Sequence, residues 1–183
     1  MVDYFFFLEL VTMMVTMRYA IQTFQDKVDE ILISTVESLR STATVREMIL
    51  TGVFDQEMDD YLDGVIEYTS DLDYITIANT DSIRVYHVDP DKIGQSFDGG
   101  DQYRALEGEC YLTDTKPANR EISRRAFGPV YDEEGNIIGF VMAAASLLLY
   151  LMKTLPEGRR YSHLTRRFRD GEIYQDYIRG IDG

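Results

Sequence analysis

ISRRAFGPVYDEEGNIIGFVMAAA, Ile122 to Ala145, decides the fold. Two runs rich in β-branched and aromatic residues flank the polar, glycine-bearing DEEGN of Asp132 to Asn136. That pattern predicts two antiparallel strands joined by a hairpin loop. Outward from it, ECYLTD (Glu109 to Asp114) predicts a further strand, and DQYRALEG before it a short helix stopped by Gly108. YITIA (Tyr74 to Ala78) and SIRVYHV (Ser82 to Val88) are strands on either side of the turn signal Asn79-Thr80-Asp81, and form a second hairpin.

Further upstream the period lengthens. Val28, Ile31, Leu32, Val36 and Leu39 recur at three- and four-residue spacing, which predicts one very long helix or two joined near Ser41, with Gly52 as the stop. A second helix is expected from Asp55, its N-cap, with Met58, Tyr61, Leu62, Val65 and Ile66 as its apolar stripe. Helices segregated from five strands make an α+β domain, a five-stranded antiparallel sheet with a long N-terminal helix.

The 183 residues suit one domain with flanking segments. The net charge of −14, from 32 acidic and 18 basic residues, repels phosphates and argues against a nucleic-acid partner. Cys110 is the sole cysteine, so an intrachain disulfide and a cysteine-based metal site are excluded. FFFLELVTMMVTM (Phe5 to Met17) is apolar but short of the roughly 20 residues of a membrane span. It is either the remnant of a span or an amphipathic helix that packs on a partner. IIGFVMAAASLLLYLM (Ile137 to Met152) is also short, and its first half reads as a buried strand. Arg159, Arg160, Arg166, Arg167 and Arg169 make the C-terminal tail basic. The expected organisation is an apolar helix over 1–24, a globular domain over 25–146 and a C-terminal segment over 147–183.

No H-E-x-x-H, G-x-S-x-G or P-loop is present, so no catalytic residue, metal ligand or cofactor is expected. Asp59, Asp60, Asp63 and Glu67 read as the wet face of a helix. Binding has more support. Ser123, Arg125 and Phe127 alternate on one strand face, with Arg124 and Ala126 on the other. An arginine beside a serine suits a carboxylate, through a bidentate ion pair and a hydroxyl hydrogen bond, and Phe127 would wall such a site. The plainer alternative is an Arg125 ion pair with an exposed aspartate. Arg84 and His87 are three residues apart, so on a flat strand they face opposite ways. They reach one pocket only if the strand twists or ends by His87. Gly100, in Gly99-Gly100-Asp101, would offer backbone N–H groups to an anion or merely form a turn. Lys92, past the Asp89-Pro90-Asp91 break, is expected to face water.

The order DYITIAN, IRVYHVDPDKIG, FDGGDQYRALEG, S-x-R-A-F-x-P-V and EEGNIIGFV resembles the extracytoplasmic single-Cache, PAS-like sensor domain, over roughly Gln25 to Ala144. It is similar to that of histidine kinases that sense citrate or four-carbon dicarboxylates, and of related receptors with other output domains. The resemblance implies a ligand-sensing domain of a membrane receptor in a two-component system, non-enzymatic, lying outside the cytoplasm and anchored by flanking segments. It implies that Arg84 and His87, as the R-x-x-H segment, and Ser123 and Arg125 bind a small carboxylate. Phe127, where dicarboxylate sensors carry phenylalanine and citrate sensors lysine, favours a dicarboxylate. LTDTKPANREI (Leu112 to Ile122) departs from the family's small glycine-rich loop, so no contact is carried over from there. A homodimer through the long helix is compatible with this picture. The rival reading is a PAS-like module that dimerises and binds nothing. A small hydrolase would need a catalytic dyad that the sequence does not display.

Overall fold

The computed structural model describes residues 2–52, 56–69, 72–114 and 123–146. The chain opens with α1 (Val2–Arg40), α2 (Ala43–Thr51) and α3 (Gln56–Tyr68). The break between α1 and α2 falls at Ser41, where Thr42 caps α2 by accepting the Val45 N–H on its hydroxyl at 3.3 Å. Gly52, left-handed at φ 62°, ends α2 and donates its N–H to the Met48 carbonyl. The expected Asp55 cap lies outside the described residues.

Five strands follow: β1 (Tyr74–Asn79), β2 (Arg84–His87), β3 (Tyr111–Asp114), β4 (Ser123–Tyr131) and β5 (Ile137–Ser146). Between β2 and β3 lie a short 3-10 turn, Pro90–Lys92, and α4 (Tyr103–Leu106). All pairings are antiparallel, in the order β2-β1-β5-β4-β3. In the β4–β5 hairpin loop, Asp132 accepts the Asn136 backbone N–H at 2.7 Å and its side-chain amide at 2.9 Å. The DEEGN prediction is thereby met with a specific lock.

The pleat of the sheet sorts the core onto two faces. On the helix side, Ile75 and Ile77 of β1, Ala126 and Val130 of β4 and Val141, Ala143 and Ala145 of β5 pack against Val28, Leu32, Val36 and Leu39 of α1. Met48 of α2 and Leu62 and Ile66 of α3 join them. On the other side, Ala78, Phe127, Phe140, Met142 and Ala144 pack under Phe97 and Ala105 of the β2–β3 connection. The central strand β5 is buried on both faces, which is why its sequence is an unbroken apolar run. Close approach of α1 to β4 requires Gly128: a Cβ there would lie 2.5 Å from Val36 Cγ1.

One stripe residue is corrected. Tyr61 is 46% exposed, because the core-facing sector of α3 is narrow: Leu62 and Ile66 point inward and the preceding position turns away about 100°. Its neighbour Asp63 is not simply wet, since the buried Tyr86 hydroxyl donates to it at 3.0 Å. The first turns of α1, from Tyr4 to Ile21, expose a long apolar surface. By length and composition α1 is long and apolar enough to cross a membrane, with a window of mean hydropathy 1.4. The helix is continuous through residues 24 and 25. The basic tail and the end of the second apolar segment lie outside the described residues.

Candidate functional site

The sheet face opposite the helices carries the polar side chains singled out by sequence. Its floor follows from the register. Thr76 pairs with Met142, Met142 with Phe127, and Phe127 with Tyr111, forming one row. Tyr74, Ala144, Arg125 and Thr113 form the next. Directly opposed residues in antiparallel strands share a face, so Arg125 and Phe127 stand on the same surface as Tyr74 and Thr76.

A β-bulge brings Arg84 and His87 to this surface. Thr76 lies opposite His87 and Ile77 opposite Tyr86, but Ala78 lies opposite Arg84, so the register shifts and Val85 is the extra residue. Thr76 and Ala78 are two apart and share a face; so do their partners. The flat-strand objection to Arg84 and His87 acting together is removed by one inserted residue. The two basic edges, on β2 and β4, are three strand spacings apart, roughly 14 Å of backbone.

Each edge has a defined electrostatic state. Arg84 donates from Nη1 to the Ser96 carbonyl at 2.7 Å, and its guanidinium lies 5.2 Å from the centre of the Phe97 ring. Burial lowers its pKa, with the charge of Asp98 pulling the other way. His87 is 8% exposed, and its Nδ1 accepts the Asp89 N–H at 2.9 Å. That acceptor role puts the ring proton of the neutral form on Nε2. Burial first, then the charges of Lys92 and Arg84, push the His87 pKa down to about 4, with Asp89 pulling the other way. At neutral pH the ring is therefore an uncharged donor. Lys92 is half exposed and pairs with Asp89 at 3.5 Å.

On the β4 edge, Arg125 is 9% exposed. Its Nε donates to Ser123 Oγ at 3.4 Å and its Nη1 to Asp101 Oδ2 at 2.9 Å. Arg125 does make an ion pair with an aspartate, but a buried one. Phe127 is fully buried, stacked on Tyr111 with ring centres 5.3 Å apart and planes 9° apart, and it touches Phe97 and Phe140 edge-on or tilted. The Tyr111 hydroxyl donates to the Asp101 carbonyl. Burial raises the Tyr111 pKa to about 12, so this donor keeps its proton. Gly100 sits on the covering loop, exposed, at φ 70°. The helix it precedes, Tyr103–Leu106, is one turn long and directs no N-terminal field at the site.

Sequence reasoning left out Thr76, Phe97 and Asp101. Thr76 was legible as the polar residue alternating between Ile75 and Ile77; Asp101 sits in an aperiodic loop with no such signal. Four buried side-chain atoms among the described residues have no hydrogen-bond partner there: Thr76 Oγ1, Arg84 Nε, Asp101 Oδ1 and Gln102 Oε1. Three of the four belong to residues of this face or its Arg125 pair. Protein interiors rarely leave such groups unmatched. Among the described residues no group of three His, Cys, Asp or Glu side chains could hold a metal ion.

Known proteins place this fold. The curated relatives include the sensor histidine kinase CitA of Klebsiella pneumoniae, 38% identical over 72 residues, covering 39% of this chain and 13% of that protein. A probable C4-dicarboxylate sensor kinase of Halalkalibacterium halodurans is 31% identical over 85 residues, covering 46% of this chain and 16% of its own length. The chain thus matches less than a fifth of either kinase. The crystal structure of the Escherichia coli DcuS sensor domain superposes with a TM-score of 0.62 at 23% identity, covering 70% of this chain and 95% of that one. This likeness confirms the PAS-like α+β fold expected from sequence. The family model described as single cache domain 3 matches residues 19–143, and the chain belongs to that family of sensor domains.

Proposed function

We propose that this chain is the extracytoplasmic ligand-sensing domain of a membrane receptor and that it binds a small carboxylate, a dicarboxylate in preference to citrate. The observation that carries this reading is the β2 bulge, which sets Arg84 and His87 on the face that also bears Ser123 and Arg125. With the covering loop of Phe97 and Asp101 moved off Met142 and Ala144, a diacid on this face would meet a cation at each end, with Nε2 of His87 and the Ser123 hydroxyl as neutral donors. Burial strengthens each contact by excluding water. A probable C4-dicarboxylate sensor kinase among the relatives is consistent with that ligand class. The exposed apolar start of α1 supports attachment to a membrane.

The sheet's register supports a route for signal transfer. Arg125 is paired in register with Ala144 near the end of β5, so a change at Arg125 bears on the strand that leads out of the domain. A ligand moves that equilibrium only by its differential affinity for two arrangements of the sheet. The test is a melting panel with succinate, malate, citrate and the uncharged succinamide. The diacids should raise Tm in a concentration-dependent way and succinamide should not. A panel flat throughout would instead support the reading of a ligand-free dimerisation module.

A further inference from the structure

Arg125, the cation central to the proposed site, already has a carboxylate on it. Asp101 Oδ2 lies 2.9 Å from Arg125 Nη1, and both side chains are nearly buried, 13% and 11% exposed. The pair is poorly completed: Asp101 Oδ1 is buried with no hydrogen-bond partner among the described residues. A buried ion pair with an unmatched oxygen bears the desolvation penalty of both charges without full repayment. Such a contact exchanges readily for a better-matched one.

The chain around Asp101 is built for close approach and for release. A Cβ at Gly99 would lie 2.4 Å from Asp101 Oδ1 and 2.5 Å from the Phe97 ring, so only glycine lets the loop fold onto its own carboxylate. Gly100 takes φ 70° with nothing within 4 Å of a Cβ, a left-handed hinge in open space. On the other side, the Tyr111 hydroxyl holds the Asp101 carbonyl, so the carboxylate can leave Arg125 while its backbone stays attached.

We propose that Asp101 is an internal carboxylate that competes with the ligand for Arg125, so that the site selects ligands whose second carboxylate can replace it. This rests on the carboxylate reading of the site. With His87 neutral, the site's cations are Arg84 and Arg125, and Asp101 cancels one of them. A monocarboxylate satisfied by Arg84 leaves the internal pair in place. A diacid reaches both cations, and releasing Asp101 restores a charge balance that matches it. Asp101 thereby raises the threshold for occupancy and distinguishes one acid group from two.

The experiment is calorimetry of succinate and butyrate against the wild-type domain, Asp101→Asn and Arg125→Ala. Asp101→Asn should bind succinate roughly tenfold or more tightly than wild type, the range of one charge-assisted hydrogen bond, and should narrow the succinate-to-butyrate ratio. Unchanged or weaker succinate binding by folded Asp101→Asn overturns the competition and makes Asp101 a positioning residue for Arg125. In that case wild-type binding lost in Arg125→Ala leaves the carboxylate site standing. If neither wild type nor Asp101→Asn binds any acid, both readings fall together. A second measurement needs no variant: the Asp101 carboxyl 13C signal of the wild-type domain should move on saturation with succinate, and a stationary signal contradicts displacement.

Discussion

Arg124 and Arg125, adjacent on β4, make their ion pairs on opposite faces of the sheet. Arg124 reaches Asp29 of α1 through two bonds, at 2.7 and 2.8 Å, while Arg125 reaches Asp101 of the covering loop at 2.9 Å. Alternation along one strand thus ties the long N-terminal helix and the proposed ligand face to neighbouring residues.

The Arg124–Asp29 pair is partly exposed, at 34% and 27%, which limits its energetic weight. Asp29→Asn should lower unfolding free energy by about 1 kcal/mol, helped by the bidentate geometry. Succinate affinity should stay within about a factor of two, since the pair lies across the sheet from the site. Urea unfolding and calorimetry measure the two separately.

His87 makes stability depend on pH in a defined window. Its folded pKa of about 4 lies below the ordinary 6.5, so between those values the unfolded chain holds a proton that the folded chain lacks. Stability contributed by the neutral buried ring is complete above pH 6.5 and is lost as pH falls towards 4. The loss approaches roughly 3 kcal/mol across the window. His87→Gln should flatten this part of the curve relative to wild type, as followed by thermal melts from pH 7 to 4.5. A parallel decline in both proteins assigns the acid sensitivity to carboxylates instead.

Thr76 offers a test that separates binding from folding. Its hydroxyl is buried without a partner, so Thr76→Val, nearly isosteric, should leave stability unchanged or raise it by up to about 1 kcal/mol. If the hydroxyl serves the ligand, succinate affinity should fall several-fold in the same variant, read by calorimetry.

Gly128→Ala should lower stability by about 1–3 kcal/mol, because the added methyl would meet Val36 of α1 at 2.5 Å. Combining it with Val36→Ala should recover part of the loss. An additive double variant would mean that α1 and β4 yield without strain.

The elements were legible in the sequence because burial imposes periods. YITIA is β-branched and aromatic, β5 is apolar throughout because both its faces are covered, and the helix break near Ser41 has a threonine cap and a glycine stop on the following helix. Pattern alone missed the bulge at Val85, since an inserted residue shows only in the partner strand's register. It therefore made a shared pocket for Arg84 and His87 depend on a strand that twists or ends by His87. An aspartate partner for Arg125 was legible as the plainer alternative, but that it is Asp101 and nearly buried was hidden, because loop residues 97–102 carry no period and the pairing spans 24 positions. Tyr61 was misplaced by taking too wide a stripe on α3. The resemblance supplied what periodicity did not, namely which basic residues to weigh together.

We propose that the β2 and β4 edges grip one ligand. Calorimetry of succinate with wild type, Arg84→Ala and Arg125→Ala tests it most directly. Loss of roughly tenfold or more in affinity for each variant, with both still folded, is the predicted result. Wild-type binding that survives unchanged in either variant would contradict it.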